Sequence, residues 1–378
     1  MVISLSDLTL DARLLRQIDF LAAQYDVVVA AVGRPPPARA VEFVELVPSP
    51  LGAGARAGQA AARVALRIAG RYERAYWFDA RLRRWRDTLR RLGPVHAVIV
   101  NDLWAVPLAL DAAWDAPVIF DSHEHWTSES ASWTRWQRLS MRGAHEWIVD
   151  HHVPRTAAMM TVSRGIARAY ERRVGVLPEL ITNAPFYRPL APTAVREPIR
   201  LLHVGLADER RRLEDTIDAV RSLGDRFVLD LVLARENAYR RQIERLVAAE
   251  DGIRVLPPIP TAELISFANH YDVGVFLLPA IFPNQVHVLP NKLFDYIQAR
   301  LAVAIGPSAE MAAIVREWDC GVVSESFSTG AFAEALGRLD AQSVAYMKVN
   351  ADRAARVLNA DRNREAVLSL VKSAIRAG

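Results

Sequence analysis

Residues Leu289–Gly306, LPNKLFDYIQARLAVAIG, contain one complete helix-to-strand unit of an α/β fold. Pro290 suits a helix start, and the apolar residues after it are spaced as in an amphipathic helix that leads straight into an apolar strand. A helix N-terminus offers unpaired N–H groups and a positive dipole end, to which Lys292 adds a full charge. The stretch therefore predicts an anion site that suits phosphate, although a capped surface helix whose lysine faces water has the same pattern.

The alternation of short apolar strands and longer helical patterns continues outward from this stretch in both directions. In the second half the predicted strands are Arg200–Val204, Phe227–Leu233, Ile253–Leu256, Val273–Leu278, Ala302–Ile305 and Gly321–Val323. In the first half they are Val2–Leu5, Asp26–Ala31, Phe43–Leu46, Val95–Val100, Pro117–Phe120 and Met159–Val162. This alternation is typical of parallel sheets covered by helices on both faces. The sequence therefore predicts the α/β class with two doubly wound, Rossmann-like sheets.

A proline-rich segment separates the two halves. The segment Asn183–Pro198 reads NAPFYRPLAPTAVREP, and proline interrupts both helices and inner strands. We therefore predict one domain over residues 1–190 and a second over 191–360, with a last helix in 361–378. Because ligands of open α/β sheets bind at the carboxyl ends of the strands, we expect the chemistry in a cleft between two facing domains.

Two further segments are predicted to be helical. Ala53–Leu92 is rich in Ala and Arg with few helix breakers, which predicts one or two long, solvated helices. Trp126–His152 interleaves aromatic and basic residues, and its pattern suits either packing on the core and acceptor cleft or contact with a membrane surface.

Composition limits the class of protein. The 378 residues, 51% hydrophobic and 24% charged, suit two globular domains and exclude a disordered or fibrous chain. A formal charge of +4 without lysine runs favours anionic partners but not nucleic acid. Cys320 is the only cysteine, which excludes an intramolecular disulfide. With no signal peptide pattern and no apolar window of about 18 residues, we expect a cytoplasmic protein.

The stretch around Lys292 resembles the donor-site segment of retaining GT-B glycosyltransferases of the family-4 type, also called glycosyl transferases group 1. The family's pattern is P-N-K-L-F-E-Y, a small-residue turn and P-V-I. Its two acidic residues, eight positions apart, contact the donor sugar and the ribose diol, and here His287 and Asp295 take those positions. The resemblance implies donor binding by His287, Pro290, Asn291, Lys292 and Asp295. A histidine can still hydrogen-bond a sugar hydroxyl.

A second resemblance concerns LLHVGLADERRRLEDTIDAV, residues 201–220, which is similar to the family's strand, V-G-R turn and basic helix start. In the family an Arg and a Lys there clamp the donor diphosphate. Leu206 stands in place of the first cation, and three arginines crowd the place of the second. The resemblance implies donor binding by Gly205, Arg211 and Arg212, whereas a solvated run of charges is the alternative interpretation.

In the first half, LTLDARLLRQ and VNDLWAVPLALDAAWDAPVIFDSHEHW resemble the family's D-x-R-x-x-R-Q, A-N-D and D-x-H-E segments. The resemblance implies that His123 lies near the donor sugar as the catalytic residue, with Asp11, Asp121 and Glu124 as acceptor-side candidates. Taken alone, the cluster DSHEH could bind zinc. Its histidines are not one helical turn apart and a loop at a strand end explains it more simply, so we predict no metal.

The resemblance implies transfer of a sugar from a UDP- or GDP-sugar to an acceptor hydroxyl with retention, in glycan or glycoconjugate biosynthesis and without a cofactor. The acceptor would be a saccharide, a lipid-linked sugar or a small molecule bound by the first domain, and the nucleotide sugar would bind the second. Lipid-linked acceptors would bring peripheral contact at the inner membrane face, and the last helix would return to the first domain. A nucleotide-sugar epimerase and a non-catalytic partner subunit remain alternatives, the latter favoured by Leu206 and His287.

Overall fold

The computed structural model describes residues 1–8, 11–36, 41–47, 52–126, 135–278 and 289–377. The chain divides into two compact units. The first comprises Met1–Ile181 with Asn363–Gly378, and the second comprises Thr182–Arg362. The proline-rich segment Asn183–Pro198 lies at the start of the second unit.

The first unit contains one parallel sheet with strand order β3-β2-β1-β4-β5-β6-β7. Its strands are β1 Val2–Asp7, β2 Val28–Val32, β3 Glu42–Glu45, β4 Val98–Val100, β5 Val118–Ser122, β6 Ala158–Thr161 and β7 Glu179–Leu180. Its helices are α1 Ala12–Ala22, α2 Ala53–Ile68, α3 Tyr72–Trp77, α4 Ala80–Arg90, α5 Val106–Ala112, α6 Arg135–His151 and α7 Arg164–Val174, together with most of α15 Ala360–Ala377. All six strands predicted for this half are present. The edge strand β7 was not predicted because its two residues are exposed and carry no apolar pattern.

The segment predicted as one or two solvated helices forms three helices, α2, α3 and α4, so that prediction is wrong. Gly70, at φ +70°, follows the end of α2, a position that favours glycine. Asp79 separates α3 from α4, and its carboxylate accepts from the N–H of Arg81. The segment is also not fully solvated, because Tyr76 and Trp85 are buried in the core of the first unit.

Helix α6 packs on that same core along the part whose side chains are described. Ile148 and Val149 are fully buried, and Trp147 lies against Tyr76 with ring centroids 6.0 Å apart. Before the helix, Trp126 packs edge-on against Tyr170 at 4.8 Å. These contacts correspond to the core-packing interpretation of the aromatic residues.

The second unit contains a parallel sheet with order β10-β9-β8-β11-β12-β13. Its strands are β8 Ile199–Gly205, β9 Phe227–Leu233, β10 Ile253–Leu256, β11 Val273–Phe276, β12 Ala302–Ile305 and β13 Gly321–Val323, which are the six strands predicted. Its helices are α8 Leu213–Arg221, α9 Ala238–Val247, α10 Thr261–Ala268, α11 Asn291–Gln298, α12 Ala309–Trp318, α13 Thr329–Gly337 and α14 Ala341–Ala355. In each sheet the strand order reverses direction beside the first strand, at β1/β4 and β8/β11. The carboxyl ends of strands at such a reversal are where open α/β sheets bind ligands.

Tyr296 fixes helix α11 over the reversal point of the second sheet. Its hydroxyl accepts from the N–H of Val204 at 3.0 Å and lies 3.4 Å from the carbonyl of Val275, to which it donates. The ring occupies the space beside Gly274, where a Cβ would overlap it. A glycine in β11 therefore allows α11 to lie close to the ends of β8 and β11.

Among the helices of the described residues, none combines the length and the apolar character needed to span a membrane.

Candidate functional site

Three basic side chains of the second unit converge on Gly205, the last residue of β8. A Cβ placed on Gly205 would lie 2.9 Å from His203 Nε2, 3.2 Å from Lys292 Cε and 3.5 Å from Arg211 Nη1. His203 comes from the same strand, Arg211 from the turn before α8, and Lys292 from the first turn of α11. Only a glycine leaves the space between these three side chains open.

Two of these side chains present buried polar atoms with no hydrogen-bond partner among the described residues, namely His203 Nε2 and Arg211 Nη1. The other ring nitrogen of His203, Nδ1, lies 3.2 Å from the carbonyl of Val275. Because a carbonyl only accepts, Nδ1 carries the proton of the neutral ring and Nε2 presents its lone pair. Burial, followed by the charges of Lys292 and Arg211, lowers the pKa of His203 to about 3. Unpaired buried polar atoms are costly, so this geometry suits a bound polar ligand.

Lys292 supplies the second positive group, beside Arg211. Its ammonium lies 5.3 Å from the centre of the Phe276 ring, and it makes no hydrogen bond or ion pair with the part of the chain that the structure describes. Burial and the nearby Arg211 lower its pKa to about 7. A bound anion would favour the charged form and raise that pKa.

Helix α11 also carries the other predicted donor residues that the structure describes. Pro290 is the N-cap and Asn291 the exposed first residue, so the unpaired N–H groups of the first turn start beside Lys292. Asp295 lies three residues after Lys292, which places both on one side of the helix. His287 lies outside the described residues.

Of the three consecutive arginines, only Arg211 reaches Gly205. Arg210 pairs with Asp208 at 2.6 Å and Arg212 with Asp215 at 2.8 Å, and both guanidinium groups are largely exposed. The backbone of Arg212 is left-handed, with φ +47°, where the turn passes into α8. The turn directs Arg212 to Asp215, and its contact with the donor stays a prediction.

His203 was missed by sequence reasoning. The signal was its position two residues before Gly205, because residues i and i+2 of a strand lie on the same face. A lone histidine in an apolar strand looks like an ordinary core residue. Only the structure reveals that Nε2 is buried without a described partner beside two cations.

A second polar cluster, in the first unit, is built around Asp121 at the end of β5. Asp121 is 1% exposed, and its oxygens accept from Arg13 Nη2 at 2.6 Å, Arg13 Nε at 3.0 Å and Gln17 Nε2 at 2.9 Å. Burial alone would raise the pKa of Asp121, but Arg13 and then His123 outweigh it and hold that pKa well below its usual range. The carboxylate is thus occupied by Arg13 and Gln17, and the acceptor-side role of Asp121 stays a prediction.

His123 lies beside this buried pair. Its Nε2 is 3.1 Å from Asn101 Oδ1 and 3.5 Å from Asp121 Oδ2. Asn101 donates its amide N–H to Gln17 at 2.9 Å, so its carbonyl oxygen faces the histidine. Both neighbours of Nε2 are acceptors, so Nε2 carries a proton.

The remaining acceptor-side candidates share a cavity of about 420 Å³ with His123. Asp11 caps α1 by accepting from the N–H groups of Arg13 and Leu14, and its other carboxylate oxygen lies 3.8 Å from His123 Nδ1. Glu124 lines the same cavity. Within the described ranges no three His, Cys, Asp or Glu side chains are grouped as a metal site would require.

Comparisons with known proteins concern the fold. No protein-family model matches the chain, and no curated protein is significantly similar to it in sequence. Its structure is similar to sucrose-phosphate synthase from Thermosynechococcus elongatus, with a TM-score of 0.73 and 14% identity over 100% of this chain and 99% of that one. It is also similar to Anabaena HepE in complex with UDP, with a TM-score of 0.70 and 13% identity over 98% and 99% of the two chains. Trehalose 6-phosphate synthase from Burkholderia multivorans has a TM-score of 0.66 and 14% identity over 100% and 96%. The chain has the GT-B fold of these glycosyltransferases.

Proposed function

We propose that this chain is a retaining glycosyltransferase that moves a sugar from a UDP- or GDP-sugar to an acceptor hydroxyl. The observation that carries the proposal is the convergence of His203, Arg211 and Lys292 on Gly205 at the carboxyl end of β8. It is supported by the structure of HepE, a full-length match in fold that was solved in complex with UDP.

In this proposal Arg211, Lys292 and the first N–H groups of α11 bind the donor diphosphate. An arginine fork suits two phosphate oxygens, and a helix N-terminus adds aligned N–H donors. Asp295, on the same side of α11 as Lys292, accepts from the ribose diol. Leu206 lacks the charge found at this position in the family, and Lys292 supplies a cation at the same glycine from another element.

The reaction needs little covalent chemistry from the protein. The bond from the sugar to the diphosphate breaks, the acceptor oxygen bonds the same face of the sugar, and the hydroxyl proton passes to the departing phosphate oxygen. The main barrier is the charge that develops on the diphosphate, which fixed cations and N–H groups stabilise. His123 orients the sugar through a hydrogen bond between Nδ1 and a sugar hydroxyl, while Asn101 and Asp121 fix its ring. No metal or cofactor is required by this scheme.

Nucleotide binding is the first test. In calorimetry, Lys292→Met should weaken binding of UDP, or of GDP if that is the nucleotide bound, by roughly 10- to 100-fold, because one hydrogen bond to a charged group is lost. Lys372→Met, at an exposed lysine of the first unit, is the matched control. Equal nucleotide affinity in both variants would refute the proposed diphosphate site at α11.

Turnover is the second test, because a transferase, a non-catalytic subunit and an epimerase differ in the reaction that they catalyse. His123→Ala should lower the single-turnover rate far more than it weakens nucleotide binding, because its proposed partner is the sugar at the reacting centre. A non-catalytic subunit would bind nucleotide but show no transfer with any acceptor, and an epimerase would interconvert donor sugars without one. Unchanged transfer by His123→Ala would return that histidine to a structural role.

A further inference from the structure

A second basic cavity lies in the first unit, apart from the residues given a role above. It has a volume of about 490 Å³, and three arginines from α2 and α4 line it, Arg63, Arg67 and Arg81. Trp104 forms part of its wall. Asp102, Leu103 and His145 line both this cavity and the cavity that contains His123. The two cavities are therefore neighbours within one unit.

Arg67 is the central group of this cavity. It is only 7% exposed, and its Nε and Nη2 are buried without a hydrogen-bond partner among the described residues. Its Nη1 contacts the sulfur of Met141 at 2.6 Å, and its guanidinium lies 5.2 Å from the centre of the Trp104 ring. A thioether is a weak acceptor, so this contact leaves most of the hydrogen-bonding capacity of the guanidinium unused.

The carboxylates near Arg67 are already occupied. Asp79 is fully buried and pairs with Arg63 at 2.5 Å and with Arg81 at 2.8 Å. Asp102 accepts from the N–H of Leu5 at 2.6 Å and from the hydroxyl groups of two serines. Arg67 makes no ion pair within the described ranges, so its charge is not neutralised.

Arg63 contributes one more unpaired donor to the same cavity. Its Nη1 is taken by Asp79, but its Nε is buried without a partner among the described residues. Burial, then the neighbouring Arg63, lowers the pKa of Arg67 to about 10, so Arg67 stays charged near neutral pH. Two adjacent guanidinium groups with three unpaired nitrogen donors form a site complementary to a multiply charged oxyanion.

We propose that this cavity binds a phosphate group carried by the acceptor substrate. Each of its three unpaired nitrogen donors can bond an oxygen of a phosphate monoester, which carries up to about twice the charge of a carboxylate. Because three residues line both cavities, a sugar attached to a phosphate bound here would lie beside the His123 cavity. The assignment of this phosphate to the acceptor substrate rests on the proposed function, but the phosphate site itself does not.

Inorganic phosphate is the first probe, measured by calorimetry on the full chain in the Lys292→Met background, which weakens the proposed donor site. Adding Arg67→Met keeps an unbranched stem against Trp104 but removes the donors, and should weaken phosphate binding by roughly 10- to 100-fold. The matched control is Arg56→Met, on the exposed part of the same helix, which should change affinity less than twofold. Equal phosphate affinity in both variants would overturn the proposal.

Folding and donor binding are checked separately. If Arg67→Met lowers the melting temperature sharply, Arg67→Lys replaces it, since a lysine retains the charge and loses the fork. That variant should bind phosphate more weakly than the parent, and unchanged affinity would contradict the fork geometry. UDP affinity should be equal in parent and Arg67→Met. Absence of binding of both UDP and GDP in both proteins, with Arg67-dependent phosphate binding intact, would refute the proposed donor site and leave this inference standing.

Binding of three ligands is compared to identify the kind of molecule that carries the phosphate. Glucose 6-phosphate tests a soluble sugar phosphate, farnesyl phosphate in detergent micelles tests a lipid-linked one, and glucuronate tests a carboxylate. Binding of either phosphate ester that falls at least tenfold in Arg67→Met supports the proposal and names the source. Binding of glucuronate as tight as that of the esters, or no Arg67-dependent binding of any ligand, would overturn it.

Discussion

Lys292 is the residue of the proposed donor site whose charge can change near neutral pH. The chain has only three lysines among 47 Lys and Arg residues, so most of its cations are arginines and Lys292 is an exception. An arginine would stay charged under nearly all conditions, whereas a buried ammonium can lose its proton. Burial and Arg211 lower the pKa of Lys292 to about 7, so its charge near neutral pH depends on what is bound.

Nucleotide binding should therefore take up a proton above about pH 7, and affinity for UDP should fall as pH rises from 7 to 9. The bound diphosphate stabilises the ammonium, so the limit is about tenfold in affinity per pH unit for one proton. Calorimetry in buffers of different ionisation enthalpy measures the uptake directly. Lys292→Arg is the control and should flatten the profile; the same slope in this variant would assign the proton elsewhere.

Without a ligand, Lys292 also makes folding stability depend on pH. This dependence has the opposite sign to that of nucleotide affinity. The unfolded chain binds the Lys292 proton up to about pH 10.5, whereas the folded chain releases it near pH 7. Between these values the unfolded state holds more protons, so the contribution of this group to stability rises with pH.

Helix α1 shows how an element fixes a site through side chains one turn apart. Arg13 and Gln17 are four residues apart, and both donate to the buried Asp121 on β5. The same contacts place Asn101 and His123, because Gln17 also accepts from Asn101. The orientation of the proposed catalytic histidine therefore depends on how α1 packs on the sheet.

Arg13→Met should lower the free energy of unfolding by roughly 3–5 kcal/mol, the cost of leaving a buried carboxylate without its partner. Urea unfolding followed by circular dichroism measures the change, with Arg168→Met, at an exposed arginine of α7, as the control. Adding Asp121→Leu to Arg13→Met should recover much of the loss, because the unpaired charge is then gone. A loss no larger than that of the control would show that the pair contributes little to stability.

At the scale of the whole molecule, the two units should respond differently to nucleotide. Hydrogen exchange should slow on addition of UDP in peptides covering 199–211 and 291–298 of the second unit, because a ligand that binds the native state opposes local opening. Peptides covering α1, at 12–22, are the internal control and should change little. Protection confined to α1 would place the nucleotide in the first unit and contradict the proposed site.

The strands of this fold could be predicted to within a few residues at each end. The inner strands β9, β11 and β12 stand out because parallel strands buried on both faces are mainly apolar. The exposed pair Glu179–Leu180 carries no such signal, and β7 was missed. The helices over Ala53–Leu92 were predicted without their breaks because helix-forming composition does not reveal where a buried side chain such as Asp79 ends one helix and caps the next.

The sequence by itself determined the α/β class, twelve strands and the candidate Lys292, because local pattern and composition depend on neighbours in the chain. The candidates Gly205 and Arg211 came from the family resemblance of residues 201–220. Only the tertiary structure decided which of three arginines reaches Gly205, that His203 joins it, and that Asp121 is occupied by Arg13. It also revealed Arg67, whose unpaired donors depend on Met141, Trp104 and the neighbouring carboxylates. Hydrogen bonding and burial of side chains depend on residues brought together from distant parts of the chain, and no local pattern encodes them.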